Sequence, residues 1–368
     1  MSEHRDIRSL GFERPGEPFF AGYDEGPPEP WQVRIETLYS GFSAGTELTF
    51  MKGTNPYLHS RWDDWRQRFV AGEAGMHYPV PFVGYMEVGR VVADGAGYRA
   101  GEVVGGMWGH KSGHTADPNL ELIVPLPAGM DPRLGIYVGQ MGPIAANGIL
   151  HADAELIGRD VHTLGASLEG RPVLVFGAGI VGFLVALFAQ NAGASEVVIA
   201  DPNPFRRMRA ESLGLLAMTE EQAVDHAKHR WHGGSSHGRG ADLVFQTRAD
   251  AASLHRAMQA LRAQGTVIDL AFYQGGAEPL RLGEEFHHNG LGLKCAQIGR
   301  VPRGMERLWD RARLSRETVK LLEKRGSEIA TQLITHVVLF DEAPDFLRRL
   351  VAERPDFIQV VFDYQRGM

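Results

Sequence analysis

One short glycine-rich segment has the residue types and spacing needed to bind a phosphate-containing ligand. Gly177, Gly179 and Gly182 form a G-x-G-x-x-G pattern directly after the apolar run Val173–Phe176 and before a long apolar stretch. In this setting the first glycine permits a tight turn, the second allows close approach of a pyrophosphate, and the third lets a helix pack against the strand. The helix N-terminus offers N–H groups and a positive dipole end to the phosphates. We therefore predict a dinucleotide site; the alternative is a glycine-rich turn without a ligand.

An acidic residue follows the second predicted strand at the distance expected for ribose recognition. Asp201 lies 19 residues after Gly182, and a carboxylate there accepts the ribose hydroxyls of an adenosine and repels the 2′-phosphate of NADP. NAD(H) is therefore the favoured cofactor. Arg206 and Arg207 keep NADP(H) possible, because a guanidinium can bind that phosphate. The complete predicted cofactor set is Gly177, Gly179, Ile180, Val181, Gly182, Asp201, Arg206, Thr247, Ala271 and Phe272.

The elements around this segment indicate an α/β domain. From residue 171, apolar strands such as RPVLVFG, SEVVIAD and ADLVFQT alternate with helical stretches, which is typical of βαβ units and a parallel sheet. The stretch DAASLHRAMQALRAQG predicts one helix that ends at Gly265. Between Trp31 and Pro127 the chain has short β-rich runs broken by turns, which predict a small barrel or a partly open sheet. Within that region we expect residues 61–70 to form one or two helical turns.

Length and composition exclude several classes of protein. A chain of 368 residues predicts roughly two or three domains. Because Cys295 is the one cysteine, an intrachain disulfide and a multi-cysteine metal site are excluded. A formal net charge of −7 and the lack of a run near the roughly 18 apolar residues of a membrane helix predict neither a nucleic-acid nor a membrane partner. The N-terminus lacks the pattern of a signal peptide, so the expected localisation is cytoplasmic.

The chain resembles the medium-chain dehydrogenase/reductase superfamily, of the zinc-type alcohol dehydrogenase-like kind. The resemblance rests on the glycine fingerprint and on three further segments, Tyr39–Glu47, Pro81–Arg90 and Leu282–His288. Within the superfamily it is most similar to the bacteriochlorophyllide a dehydrogenase-like subgroup. The resemblance implies an α/β fold with a GroES-like β-rich catalytic domain at 1–150 and a Rossmann domain with a doubly wound parallel sheet at 151–300. A returning segment at 301–368 would complete the catalytic domain.

The positions that hold catalytic zinc in the family carry different residues here. Ala44 stands where the family has a cysteine, and Tyr85-Met86 stand where it has a histidine and a glutamate. The third ligand position falls near Gly142, and the four-cysteine structural zinc lobe is missing. None of these side chains is a good zinc ligand. We therefore expect no metal site and no zinc.

Hydride transfer without zinc needs another group beside the substrate oxygen. We predict that the Tyr85 hydroxyl is that group, acting as a neutral donor; the alternative is that its ring fills the volume left by the metal. The resemblance places Thr46 at the family's hydroxyl relay position, although it could equally bond within a turn. His110 is the third candidate, as an acid or base near the substrate. Glu47 is expected to bond to backbone or to pair with an arginine.

The predicted activity is that of a zinc-independent, NAD(H)-dependent oxidoreductase that interconverts an alcohol and a carbonyl in a small-molecule substrate. One alternative is a quinone or enoyl reductase of the same fold, in which the hydride goes to a conjugated double bond. Another is a dinucleotide-binding protein without catalysis. The resemblance also implies a homodimer, in which residues 291–299 would extend a sheet across a two-fold axis.

Overall fold

The structure, a computed structural model, describes residues 4–232 and 238–365. It divides into two compact units. One unit consists of the residues up to Gln140 together with those from Ile334 onward, and the other is Met141–Leu333. These divisions differ from the predicted ones after residues 150 and 300, because the long helices at 141–156 and 311–332 both belong to the central unit.

The first part of the chain is mainly strands, as its short β-rich runs predict. In chain order its elements are β1 (Arg5–Arg14), β2 (Glu17–Glu25), β3 (Val33–Phe42), α1 (Ala44–Lys52), β4 (Ser60–Asp63), β5 (Arg68–Ala71), β6 (Glu87–Val91), β7 (Val103–Gly106), β8 (Gly113–Ala116) and β9 (Val124–Pro125). Strands β1 and β2 form an antiparallel hairpin. Strand β3 pairs antiparallel with both β6 and β8, and its residues Val33 and Ile35 are buried in an apolar cluster with Trp108.

The central unit is a parallel sheet with helices. In chain order its elements are α2 (Met141–Leu156), β10 (Pro172–Phe176), α3 (Ile180–Asn191), β11 (Glu196–Ala200), α4 (Pro204–Ser212), β12 (Leu216–Met218), α5 (Glu220–Arg230), β13 (Ala241–Gln246), α6 (Ala251–Ala260), β14 (Leu261–Asp269), β15 (Gly292–Cys295) and α7 (Arg311–Gln332). The strand order is β12-β11-β10-β13-β14-β15, with every pair parallel. Residues 173–176 and 183–189 are buried because β10 and α3 lie in the interior of this unit.

The last part of the chain returns to the first unit. Its elements are β16 (Ile334–Leu339), α8 (Ala343–Glu353) and β17 (Gln359–Asp363). Strand β17 pairs antiparallel with β3 and parallel with β16, which gives a sheet in the order β16-β17-β3-β6-β7-β9, with β8 also on β3. The predicted α/β class is confirmed. In the described ranges, no helix combines the length and the apolar character needed to cross a bilayer.

Two local predictions are wrong. Residues 61–70 form the hairpin β4–β5 instead of helical turns, because Trp62 and Phe69 make a cross-strand edge-to-face pair at 5.1 Å and Gln67 adopts a positive φ of 52° in the turn. Helix α6 ends at Ala260 rather than near Gly265, since Leu261–Asp269 pairs with β13 as strand β14. Pairing with the sheet overrides the local helix propensity.

Candidate functional site

The glycine fingerprint forms the turn between β10 and α3. Gly177 has φ of +99°, and a Cβ atom there would lie 2.8 Å from Thr247 Oγ1. A Cβ on Gly182 would lie 1.8 Å from the carbonyl oxygen of Gly177, so the helix can approach the strand only with glycine at this position. Gly179 is the N-cap of α3, and a Cβ there would have Arg206 Nη1 as its nearest neighbour at 3.8 Å. The space over Gly179 is therefore open.

The first turn of α3 lies beside that open space. Ile180 and Val181 are its first two residues, and both are half-buried. The first N–H groups of an α-helix have no acceptor within the helix, and the dipole makes this end positive. An anion placed over Gly179 would therefore meet backbone donors.

Asp201 is tied to the glycine turn. It follows β11 and is buried, and its Oδ2 accepts the backbone N–H of Ala178 at 2.8 Å while its Oδ1 accepts that of Asn203 at 2.8 Å. Arg206 Nη1 lies 3.9 Å from the same Oδ2. Arg207 instead donates to the carbonyl oxygens of residues 201 and 202, each at 2.8 Å. Of the two arginines, Arg206 is the one beside the carboxylate.

The remaining predicted cofactor residues lie at the ends of neighbouring strands. Thr247 follows β13, and its hydroxyl donates to the carbonyl oxygen of Phe176 at 2.8 Å. Ala271 and Phe272 follow β14, with the Ala271 N–H donating to Asp269 Oδ1 at 2.9 Å and Phe272 exposed. The carboxyl ends of parallel strands meet at one edge of a sheet, where ligands bind in open α/β folds. All ten predicted cofactor residues belong to this edge.

Three hydroxyl groups meet in the first unit, and we call Ser43, Thr46 and Tyr85 the hydroxyl set. Ser43 is the N-cap of α1, Thr46 lies in its first turn, and Tyr85 precedes β6. The Tyr85 hydroxyl donates to Thr46 Oγ1 at 3.1 Å and is also hydrogen-bonded to Ser43 Oγ. Burial raises the pKa of Tyr85, and its two hydroxyl partners oppose this only in part. The phenol is therefore neutral at physiological pH.

A buried carboxylate and imidazole lie behind the hydroxyl set. Glu47 Oε2 and His110 Nε2 are 2.7 Å apart, and the two side chains are 1% and 0% exposed. The other ring nitrogen of His110 lies 2.7 Å from Ser40 Oγ, and Glu47 Oε1 accepts the backbone N–H of Ser43 at 2.8 Å. Burial acts to lower the pKa of His110, but the charge and hydrogen bond of Glu47, together with the charge of Glu87, outweigh it and raise the pKa.

Glu87 is a third buried titratable group next to this pair. Its Oε2 accepts the backbone N–H of Trp108 at 2.7 Å, and its Oε1 has no hydrogen-bond partner in the part of the chain that the structure describes. Burial raises the pKa of Glu87 to about 7, against the opposing effects of His110 and the Trp108 N–H. A Cβ on Gly84 would lie 2.9 Å from Glu87 Oε1. The orphan oxygen is therefore directly beneath the backbone that carries Tyr85.

Comparison with known proteins identifies relatives of the chain. The family described as zinc-binding dehydrogenase matches residues 181–311. L-threonine 3-dehydrogenase from Mesorhizobium japonicum is 34% identical over 199 residues, which is 50% of this chain and 54% of the relative. D-guloside 3-dehydrogenase from Escherichia coli is 24% identical over 333 residues, 88% of this chain and 90% of the relative. A Sinorhizobium meliloti structure with NADP bound has a TM-score of 0.67 at 17% identity, covering 98% of this chain and 99% of that one.

The match to the zinc-binding dehydrogenase family lies within the central unit of the chain. The predicted superfamily is thereby confirmed, as is its fold, a GroES-like domain with a Rossmann domain. The relatives named here are dehydrogenases, and the Sinorhizobium meliloti structure holds a nicotinamide dinucleotide. The chain spans about half the length of the threonine dehydrogenase that it matches. The bacteriochlorophyllide a dehydrogenase-like subgroup stays a prediction.

The matched family is described as zinc-binding, so the residues at the positions expected for zinc ligands are compared with what zinc requires. Ala44 and Gly142 carry no donor atom, and the Tyr85 hydroxyl is engaged by Ser43 and Thr46. Met86 is buried, and its thioether is not a zinc ligand of the usual N, S⁻ or O⁻ kind. A Cβ on Gly142 would lie 2.1 Å from Thr318 Cγ2, which leaves no space for a ligand side chain there. These residues do not fit a catalytic zinc ion.

Elsewhere among the described residues, one group has the spacing of metal ligands. His255, Glu284 and Glu285 place one ligand atom each within 4.8 Å of one another. The group lies in the central unit, with His255 on α6 and Glu284 on the exposed turn before β15. It shares no residue with the predicted zinc positions or with the dinucleotide edge.

The sequence analysis missed three residues of the candidate site, Ser40, Ser43 and Glu87. Ser43 had a usable signal, because serine is a favoured helix N-cap residue, and here Glu47 accepts its backbone N–H. Glu87 and Ser40 had none, since their positions in strands do not reveal which neighbouring loop covers them. The expectation that Glu47 bonds to backbone or to an arginine is met by the Ser43 N–H, and its ionic partner is a histidine.

Proposed function

We propose that this chain is a zinc-independent, NAD(H)-dependent oxidoreductase that interconverts an alcohol and a carbonyl in a small-molecule substrate. The observation that carries the proposal is the hydroxyl set, in which a neutral tyrosine stands at a position where the family resemblance places a zinc ligand. The threonine and guloside dehydrogenases among the relatives act as their names say on alcohol carbons, which supports the same reaction type for this chain.

The dinucleotide edge supports binding of the cofactor. The open space over Gly179 and the first turn of α3 suit a pyrophosphate, and Asp201 suits a ribose. When bound, NAD(H) supplies or accepts the hydride. A negative carboxylate at Asp201 repels a 2′-phosphate, so NAD(H) is favoured over NADP(H), although Arg206 beside it could still pair with that phosphate.

The hydroxyl set supplies the proton. In the carbonyl-reducing direction, the Tyr85 O–H donates to the substrate oxygen as negative charge develops there. Ser43 then donates a hydrogen bond to the Tyr85 phenolate oxygen, which stabilises the phenolate until a proton from solvent restores the phenol. Thr46 is half-buried at the start of α1. It accepts the hydrogen bond of the Tyr85 hydroxyl in the resting site and can hydrogen-bond the same substrate oxygen. No metal is needed for these steps.

Steady-state kinetics of Tyr85→Phe tests the proposal. Wild type is first assayed with NADH and NADPH against secondary alcohols, aldehydes, ketones, quinones and enones, which separates the alcohol/carbonyl reaction from quinone or enoyl reduction. With an accepted carbonyl, Tyr85→Phe should lower kcat by about a hundredfold or more, the usual contribution of a positioned proton donor. An unchanged kcat would refute the role of Tyr85.

Metal analysis of the same preparation tests zinc independence. Activity should survive prolonged dialysis against EDTA, and elemental analysis should find no zinc whose removal abolishes turnover. Zinc bound at His255, Glu284 and Glu285 would be distinguished by Glu284→Gln, which should release that zinc without loss of activity. Stoichiometric zinc whose removal abolishes turnover in this variant would overturn the proposal.

We also propose a homodimer. Strand β15 lies at the edge of the central sheet, next to β14 on one side. Its residues Leu293 and Lys294 are exposed, so the other edge is available for pairing with a second copy across a two-fold axis. Light scattering at micromolar concentration should give twice the mass of the chain, and a monomer would refute the dimer.

A further inference from the structure

The side chain of Glu47 connects the hydroxyl set to the interior of the first unit. Its Oε1 accepts the backbone N–H of Ser43 at 2.8 Å, which fixes the N-cap of α1. Ser43 Oγ is hydrogen-bonded to Tyr85, and Thr46 lies one position before Glu47 on the same helix turn. Two of the three hydroxyl groups are therefore attached to the backbone that Glu47 holds.

His110 fixes the other oxygen of that carboxylate. Its Nε2 lies 2.7 Å from Glu47 Oε2 and its Nδ1 lies 2.7 Å from Ser40 Oγ, so both ring nitrogens are occupied. Ser40 Oγ in turn lies 3.0 Å from Tyr364 Oη, and all four side chains are buried. A side chain held at both ends in a packed interior has little freedom to rotate.

The chemistry of this arrangement is unlike that of a surface ion pair. A buried charge is costly unless it is both paired and hydrogen-bonded, and Glu47 meets each condition with a different oxygen. The pair does not face solvent, and His110 is 0% exposed, so it cannot exchange protons directly with a substrate. His110 therefore has no contact with solvent or substrate, which the predicted role as an acid or base would require.

We propose that Glu47 and His110 are positioning residues, which hold Ser43 and the α1 N-terminus so that the Tyr85 hydroxyl is aimed at the substrate oxygen. This inference rests on the proposed function of Tyr85. It assigns to the buried pair the orienting task that a metal ion's ligand shell would otherwise perform.

A double-mutant cycle between Glu47 and Tyr85 tests the proposal. Glu47→Ala should lower kcat by about tenfold in the wild-type background, while KM and the Kd of NADH change by less than about twofold. In the Tyr85→Phe background the same substitution should change kcat by less than about twofold, because there is no hydroxyl left to aim. Glu47→Gln, whose amide oxygen can still accept the Ser43 N–H, should restore kcat to within about threefold of wild type.

Glu121→Ala is the matched control. It removes the carboxylate of another Glu–His pair in the same unit, in which Glu121 Oε2 and His114 Nε2 are also 2.7 Å apart. Its kcat should equal that of wild type. If Glu47→Ala lowers kcat equally with and without the Tyr85 hydroxyl, the pair has a merely structural role and the proposal is overturned. Should Glu47→Ala fail to fold, His110→Gln enters the cycle in its place, with the same expected and contrary results.

A spectroscopic measurement separates this proposal from the proposed function. In protein labelled with ¹³C at the tyrosine Cζ, the Tyr85 resonance is assigned by its loss in Tyr85→Phe. It should shift in Glu47→Gln less than in Glu47→Ala or His110→Gln, and not at all in Glu121→Ala. A Tyr85 resonance that is unmoved in both Glu47→Ala and His110→Gln overturns the positioning role, whether or not any substrate is turned over.

Discussion

The backbone N–H of Ala178 donates to Oδ2 of Asp201 across 2.8 Å, so the carboxylate at the end of β11 and the glycine turn after β10 form one connected structure. Two features that lie 23 residues apart in the chain are thereby fixed relative to each other. A cofactor bound to the turn would find the ribose acceptor already in place, which reduces the ordering cost of binding.

Asp201→Ser should change the preference between cofactors. Removing the carboxylate removes the repulsion of a 2′-phosphate and takes away the acidic neighbour of Arg206, 3.9 Å away. We expect the ratio of Kd values for NADPH and NADH to shift toward NADPH by about tenfold, equal to about 1.4 kcal/mol. Fluorescence titration with both cofactors measures this. A ratio that stays constant would show that Asp201 does not contact the ribose.

Gly179→Ala should separate cofactor binding from folding. A Cβ at this position meets no atom of the chain closer than 3.8 Å, so the free energy of unfolding should change by less than about 1 kcal/mol. The same methyl group would occupy the space expected for the pyrophosphate, and NADH affinity should fall by at least about tenfold. Gly276→Ala is the control, since a Cβ there has nothing within 4 Å. Equal NADH affinity in both variants would place the pyrophosphate elsewhere.

The glycine turn could be predicted from the sequence, whereas the network behind Tyr85 could not. The fingerprint, the strand before it and Asp201 are local in the chain, so their spacing alone predicts the turn, the helix and the parallel sheet. The buried network behind Tyr85 combines residues from β3, α1, the turn after β7 and the C-terminal end of the chain. Such contacts depend on how strands pair over long distances, which no local pattern encodes.

His110→Ala should strongly destabilise the first unit. It removes the partner of a carboxylate that is 1% exposed and leaves an uncompensated charge in the interior. Breaking a buried pair in this way costs about 3–5 kcal/mol. Urea unfolding measured by fluorescence should show the loss. Replacing His114 with alanine should cost less, because the side chain of its partner Glu121 is 34% exposed and water still reaches that carboxylate. Equal losses in the two variants would contradict the expectation.

Glu87→Gln should change how stability depends on pH. Burial raises the pKa of Glu87 from 4.5 to about 7, so the folded state binds its proton more tightly than the unfolded state does. The contribution of protonated Glu87 to the free energy of unfolding is fully present below pH 4.5 and is lost as the pH rises through about 7. The total loss is on the order of 3 kcal/mol. The raised pKa of His110 acts in the same direction above pH 6.5.

The glutamine variant has no proton to lose at this position. Its unfolding free energy should therefore exceed that of wild type at pH 8 and should fall less between pH 5 and pH 8. Glu121→Gln serves as the comparison, because the pKa of Glu121 is lowered and that side chain is ionised across the whole range. Parallel curves for wild type and Glu87→Gln would show that Glu87 is ionised throughout.

The contact between Gly142 and Thr318 has a consequence for anyone who would build a zinc site from residues 44, 85 and 142. Cysteine at 44 and histidine at 85 could be introduced one at a time, but a glutamate at 142 would collide with α7 at a distance no side chain tolerates. A carboxylate side chain at 142 would require α2 and α7 to separate, which would open the interior of the central unit. Helix packing, as well as the side chains at 44 and 85, therefore opposes a zinc ion with these three ligands.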